Sequence, residues 1–299
     1  MAAPDPAADT MLPPMRLALP LAFAASLASA ALPATAADPA FIRDDNGCRF
    51  ANPSPKPNER VTWSGDCRDG WGAGRGTLQW FVNGVPTYTY DGTVAAGKLE
   101  GEGTENIRGD RYVGHFADGH RQGHGVFTWH GGLRYEGDFA RGQMDGQGAL
   151  AIGSDVRFEG RFSNNLLQAP ATMVKTTADG TELRVPLDLP DGTEPPPTPV
   201  ANAASAVNAV RIRFERRCAP NYPQPAILQA ATGTTRLSMR VEPDAKVSRV
   251  RLERRSGPDF AHQLLDLSAV AGLVDCPYEL AGPTTTAQWT RIDYAWKLE

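Results

Sequence analysis

Five histidines and four cysteines are the residues of this 299-residue chain best equipped to do chemistry. Four of the histidines, His115, His120, His124 and His130, crowd into one short stretch. Imidazoles gathered in this way could hold a transition metal, provided that three or four ligand atoms converge on one point. The spacing argues otherwise. His120 and His124 are expected in a glycine-rich turn and His115 on a strand, with no acid or thiol at a matching interval. Surface histidines and no metal site are the expectation. The cysteines, Cys48, Cys67, Cys218 and Cys276, fall as one close pair near the start and one pair near the end. No C-x-x-C is present, so neither zinc nor thioredoxin-like chemistry is expected. Sequence alone permits three disulfide pairings; Cys48–Cys67 with Cys218–Cys276 keeps each bridge inside one region. There is no G-x-S-x-G, no phosphate loop and no helically spaced histidine pair. The expectation is a protein that is not an enzyme and takes no cofactor.

Composition narrows the class further. The net charge is −4, which excludes a general nucleic-acid binder, and 41% of the chain is hydrophobic, enough for real cores. Glycine (30 residues) and proline (25) are both abundant, which favours turn-rich β structure and linkers. Near the start, Arg16 precedes an uncharged run from Leu17 to Ala37, with Ala34 and Ala36 fitting an A-x-A cleavage site. Residues 1–37 are therefore expected to be a signal peptide, with translation starting at Met15. The rival reading is an uncleaved membrane anchor, although Pro20 and Pro33 break the run. Export to an oxidising periplasm would make both disulfides natural.

The elements that must position these residues emerge from aligning the chain with itself. Tyr135, Gly137, Gly142, Gly146 and Gly148 share their spacing with Tyr112, Gly114, Gly119, Gly123 and Gly125, and with Tyr90, Gly92, Gly97, Gly101 and Gly103. An earlier copy starts at Trp63 and Gly65. A fifth starts at Phe158 and Gly160 and decays, with Asn165 and Ala169 where glycines are due. Each copy reads as a β-hairpin. "YEGDF" alternates along a strand, "RGQMDGQG" supplies turn glycines, and "ALAI" returns. The ring and the glycine two positions away are expected to pack across neighbouring hairpins, burying one aromatic row along the stack.

The pattern Y-x-G-x4-G-x3-G-x-G resembles the MORN repeat. It covers Trp63 to about Asn165, and "CRFANPSPKPNERVTWSGDC" resembles the leader of bacterial MORN proteins. The resemblance implies an elongated antiparallel sheet of stacked hairpins. Membrane adhesion would need basic clusters, yet residues 63–165 hold ten Lys and Arg against thirteen Asp and Glu. A scaffold or protein-binding sheet is expected rather than a lipid-binding one. Residues 38–62 form a cap before the repeats, and 166–190 a closing hairpin that turns at Asp179–Gly180 and covers the sheet edge. Residues 191–206 read as a proline-rich linker.

From Val207 the texture changes. Leu237, Met239 and Val241 alternate with Arg236, Ser238 and Arg240; Val250 and Leu252 alternate with Arg249 and Arg251. A turn at Pro243–Asp244–Ala245 joins this half-buried pair. Leu264, Leu267, Val270 and Leu273 recur every three residues, as in an amphipathic helix. "QWTRIDYAWKL" alternates as a closing strand. "PNYPQPA", Pro220 to Ala226, matches the opening motif of the TonB C-terminal domain, P-x-Y-P-x-x-A. "LSMRVEPDAKVSRVRLERRSG" looks like that family's central hairpin, with Ala245 replacing the turn glycine. "LLDLSAV" resembles its helix. The resemblance covers residues 207–299 and implies a small α+β domain.

Members of that family bind outer-membrane receptors by strand addition to an extended peptide. The resemblance thus points to the closing strand, with Trp289, Arg291, Asp293 and Trp296 as partner-binding residues; the tryptophans could equally fill the small core. Residues 211–255 carry eleven Lys and Arg against four Asp and Glu. Such a surface could meet acidic protein, peptidoglycan or lipopolysaccharide, or could be a solvated face. The function expected is a non-enzymatic periplasmic interaction protein, a MORN scaffold carrying a TonB-like peptide-binding module. Its partner would be a protein or extended peptide, with an outer-membrane receptor as one candidate. The alternative is a TonB-type energy transducer anchored in the inner membrane, whose 16-residue linker would reach roughly 50 Å as polyproline.

Overall fold

A computed structural model describes residues 40–190, 210–213, 215, 218–280, 282 and 285–298. The expected signal peptide or anchor at 1–37 and the expected linker at 191–206 lie outside them. The chain is mainly β. Four short strands form the cap: β1 (Phe41–Arg43), β2 (Arg49–Ala51), β3 (Glu59–Trp63) and β4 (Asp66–Arg68). The hairpins follow as β5 (Trp71–Val82), β6 (Val85–Ala95), β7 (Lys98–Ile107), β8 (Asp110–Ala117), β9 (His120–Thr128), β10 (Arg134–Ala140), β11 (Gln143–Ile152), β12 (Val156–Ser163), β13 (Leu166–Thr176) and β14 (Glu182–Asp188). From β5 to β14 each strand pairs antiparallel with the next.

The turns explain the regularity of the sequence. Arg141 and Gly142 have φ of 49° and 84°, a two-residue turn whose positive φ values match the right-handed twist of the flanking strands. At the decayed copy, Asn164 and Asn165 keep the same geometry, with φ of 49° and 69°. Asparagine tolerates this region better than most side chains, so the turn survives the loss of its glycine.

The aromatic row also has a definite geometry, and it differs from the expected one. Each tyrosine lies over glycines of its own hairpin rather than a neighbouring one. A Cβ built on Gly137 would stand 2.6 Å from the Tyr135 hydroxyl and 2.5 Å from Cα of Gly148 on the paired strand. The Tyr135 hydroxyl then donates to the Asp138 carbonyl at 3.0 Å, as Tyr112 does to His115 and Tyr90 to Thr93. Trp63 fills this role in the first copy: its ring lies over Gly65 and Gly76, and its indole N–H donates to Asp66 O at 2.9 Å. Along the stack the contact is edge-to-face, alternately between neighbouring hairpins and within one strand. Tyr90, Phe116, Tyr112, Phe139, Tyr135 and Phe162 form a zigzag with centroids 4.9 to 5.2 Å apart. Such pairs contribute about 0.5–1.5 kcal/mol each beyond the area they bury.

The closing hairpin β13–β14 forms as expected around Gly180, φ 83°, but it does not end the sheet. Strands β16 (Gly233–Val241) and β17 (Val247–Arg254) form the expected antiparallel pair, and β17 lies parallel to β14, with Leu187 opposite Val250 and Asp188 opposite Arg251. The expected antiparallel sheet is thus a mixed one. The closing strand β19 (Gln288–Trp296) pairs antiparallel with β16. Two further short strands, β15 (Val210–Ile212) and β18 (Tyr278–Leu280), pair with each other in a separate small sheet that the alternation pattern does not reveal.

Helix α1 (Gln224–Leu228) follows Pro223, and helix α2 (Phe260–Val274) starts at Asp259, whose carboxylate accepts from His262 N–H. Helix α2 is less amphipathic than its spacing predicts. Leu264, Leu265, Leu267, Ala269, Val270 and Leu273 are all buried, because the helix is covered on several sides. Phe260 stacks on Trp129, and Lys175 of β13 pairs with Asp275 just past the helix end. Both disulfides join the cysteines in the expected order. Cys48–Cys67 ties the cap together across a Cα separation of 5.7 Å, and Cys218–Cys276 ties the segment before α1 to the end of α2 across 5.0 Å.

Candidate partner-binding edge

Strand β19 pairs with β16 along its whole length, from Gln288 opposite Val241 to Trp296 opposite Gly233. Among the described residues no strand pairs with its other side. Alternation then sorts the side chains. Ile292, Tyr294 and Trp296 face the core, whereas Trp289, Arg291 and Asp293 are exposed.

Trp296 is therefore not on the exposed face with the other three candidates. It is 4% exposed, stands edge-on to Tyr222 at 5.3 Å, and donates its indole N–H to the Thr235 hydroxyl at 2.9 Å. Thr235 in turn donates to Asp266 on α2 at 2.6 Å. Burial pushes the Asp266 carboxyl up to about 6, against the opposing hydrogen bonds from Thr235 and Ser256.

The three exposed candidates are charged or aromatic groups already engaged with the sheet. Asp293 takes a bidentate pair from Arg236 at 2.6 and 2.9 Å, which holds its carboxyl below the usual range. Arg291 pairs with Glu253 at 2.8 Å. Trp289 is 40% exposed, and the Arg251 guanidinium lies 5.4 Å from its ring centroid. The arginine-rich face is likewise compensated. Arg249 makes a bidentate pair with Asp188 of β14 at 2.7 and 2.8 Å, and Arg240 lies 3.5 Å from Glu242. Two of these carboxylates, Asp188 and Asp293, lie outside the stretch whose composition is so basic. The face is a ladder of ion pairs rather than a free cationic surface.

His115 lies on strand β8 as expected, but two other histidines are placed differently. His120 and His124 belong to strand β9, since the turn itself is Asp118–Gly119. His124 lies 3.9 Å from Glu136 and 3.7 Å from Asp138 on an exposed part of the sheet. Among the described residues no three His, Cys, Asp or Glu side chains gather as a metal site would require. One buried ion pair escaped sequence reading altogether: Glu105 and Arg121 form a two-point contact at 2.8 and 3.1 Å, with the guanidinium also over the rings of Tyr112 and Phe127.

The hairpin geometry and the tyrosine–glycine stacking now stand beside a direct comparison. The MORN repeat family matches residues 90–106, 112–134 and 135–150. MORN repeats thus occupy residues 90–150. The copies at Trp63 and Phe158 flank the matched region: Trp63 reproduces the ring and the donor, whereas Phe158 is fully buried but Leu167, not its ring, lies against Gly160. The match ends at Leu150 and does not reach the C-terminal module. Of curated proteins none matches the chain.

Proposed function

We propose that this chain is a non-enzymatic interaction protein of the cell envelope, exported to the periplasm. Its MORN hairpins serve as a rigid scaffold, and its C-terminal module takes an extended peptide along β19. The outer edge of β19, unpaired among the described residues, carries this reading: a strand with one free side offers a row of backbone donors and acceptors to an incoming chain. Trp289, Arg291 and Asp293 stand on the exposed face of that strand, where a neighbouring peptide's side chains would project. The TonB-like opening motif at Pro220–Ala226 and the order of hairpin, helix and closing strand support the same mode. They make an extended segment of an outer-membrane receptor the first partner to try. Both disulfides fit export.

Panning the full chain against a library of short random peptides, followed by amide NMR titration of those retained, tests the reading. Shifts should concentrate on residues 288–296. Proline at Arg291 and at Ile292, one variant each, sharpens the test. Adjacent N–H groups on a strand point to opposite sides, so one substitution removes an edge donor and the other a donor to β16. The edge variant should lose binding and keep its fold. Shifts centred on Arg240, Arg249 and Arg251, with β19 silent, would reject strand addition.

A further inference from the structure

The aromatic face of the sheet is occupied by α2 towards the C-terminal strands, where Phe260 stacks on Trp129. At the N-terminal end the same face carries a groove of about 680 Å3. Its floor is apolar. Trp80 of β5, Tyr88 of β6 and Ile107 of β7 lie opposite one another in register, forming one row across three strands. Leu99 lies farther along β7, opposite Val94, which is six residues from Tyr88 on β6, so the trough runs about 20 Å along the strands. The cap residues Phe50 to Ser54 form a wall. Burial pushes the Tyr88 phenol well above its ordinary value, which keeps it protonated and the floor uncharged.

The charges sit at the ends. Beside Leu99, Lys98 is bound to Asp118 at 2.5 Å. At the Ile107 end, Glu59 accepts from Asn52 at 2.7 Å and has Lys56 nearby. Arg108, the turn residue next to Ile107, lines the groove and makes no ion pair among the described residues. A long apolar floor ending at an uncompensated cation fits a molecule of one shape, a linear apolar chain with a single anionic head.

We propose that this groove binds one molecule of a linear alkyl carboxylate, its head at Arg108 and its chain over Trp80 and Tyr88, directed towards Leu99. A bilayer surface does not fit the same features. The site is recessed between the cap and the strand floor, and residues 63–165 carry a net −3, which opposes anionic lipid. This site is separate from β19 and stands or falls independently of the peptide reading.

Calorimetric titration of the full chain with decanoate, kept below its self-association concentration, tests the proposal. Saturable one-to-one binding is expected. Ile107→Glu places a like charge in the trough and should abolish it, with the unchanged melting of that variant showing that the sheet is intact. Arg108→Glu should weaken binding about five-fold or more, whereas Arg141→Glu, at a distant turn, should not. Absence of saturable binding, equal binding by a folded Ile107→Glu variant, or binding only to anionic vesicles overturns the site. Equal affinity for Arg108→Glu and the unmodified chain overturns the placement of the head.

Discussion

The side chain of Gln263, on helix α2, pairs with the backbone of Leu167 as another strand would. Its amide oxygen accepts from Leu167 N–H at 2.9 Å, and its amide nitrogen donates to Leu167 C=O at 3.1 Å. Strand β14 pairs with β13 only from Ala171 onward, so among the described residues the edge at Leu167 has no strand beside it on that side. One side chain, 96 positions distant, closes that gap.

Gln263→Leu should therefore cost about 2–4 kcal/mol, because two buried backbone groups lose their partners together while shape is nearly kept. Urea denaturation measures it. A loss below about 0.5 kcal/mol would mean that water or a shifted strand takes over both bonds.

Gly137→Ala should be destabilising by more than about 1 kcal/mol, since the added Cβ meets Gln147 O, Gly148 Cα and the Tyr135 hydroxyl, all within 2.6 Å. The exposed neighbour Gln143→Ala is the control. Tyr135→Phe should cost less, about 1 kcal/mol, through loss of the bond to Asp138 O alone. Thermal melts that rank these three differently would contradict the stacking described.

Asp266 gives the protein a specific pH dependence. Its folded pKa is about 6 against an ordinary 3.8, so the folded state holds the proton longer than the unfolded one. Stability from this group is greatest below the unfolded value and declines as pH rises from about 4 through 6. Unfolding free energies at pH 5 and pH 7 should differ more for the unmodified chain than for Asp266→Asn. Asp293 acts in the opposite sense, since its lowered pKa means that the Arg236 pair is lost as pH falls below the usual carboxylate range. A pH 5 to 7 slope unchanged in Asp266→Asn would show that burial is not what sets this titration.

Peptide mapping without reductant should recover Cys48 with Cys67 and Cys218 with Cys276. Opening the second bridge should be the costlier change, since it closes a loop of 58 residues, worth about 4 kcal/mol in the chain-entropy model. Four free thiols in protein taken from its native compartment would argue against export.

Ala245 occupies the turn between β16 and β17 with φ of 65°. Backbone of this kind costs an L-residue about 1 kcal/mol that glycine avoids, so Ala245→Gly should raise the melting temperature modestly. A fall on calorimetric scanning would show that the turn's strain is relieved elsewhere.

What the sequence made legible was local. A tyrosine two residues before a glycine, repeated at intervals of 22 or 23, specifies strand, turn and partner within one hairpin. Even Trp63, an outlier by residue type, keeps the two properties that matter, a broad ring and one donor. The signal that separates Trp296 from Trp289 was in the sequence but unused: the two lie an odd number of positions apart, so strand alternation assigns them to opposite faces, yet the family resemblance groups Trp296 with the partner-binding residues. The pairing of β14 with β17 was not legible. It rests on two register positions in strands some sixty residues apart, and Asp188 gives no sign in its neighbourhood that its partner is Arg249. Glu105 and Arg121 were hidden for the same reason, since only the folded sheet sets Glu105 opposite Tyr112 and brings the Arg121 guanidinium over the same ring.

That parallel pairing has a mechanical consequence. If a partner grips β19 and pulls along the strand direction, tension passes from β19 to β16, to β17 and then to β14, always across strands lying side by side. Ladders pulled lengthwise must slide many hydrogen bonds at once, whereas ladders peeled from one end open them singly. The junction at Leu187–Val250 and Asp188–Arg251 is the shortest ladder on that route, braced by the Asp188–Arg249 pair. Under force the chain should part there first, leaving the hairpin stack intact behind it.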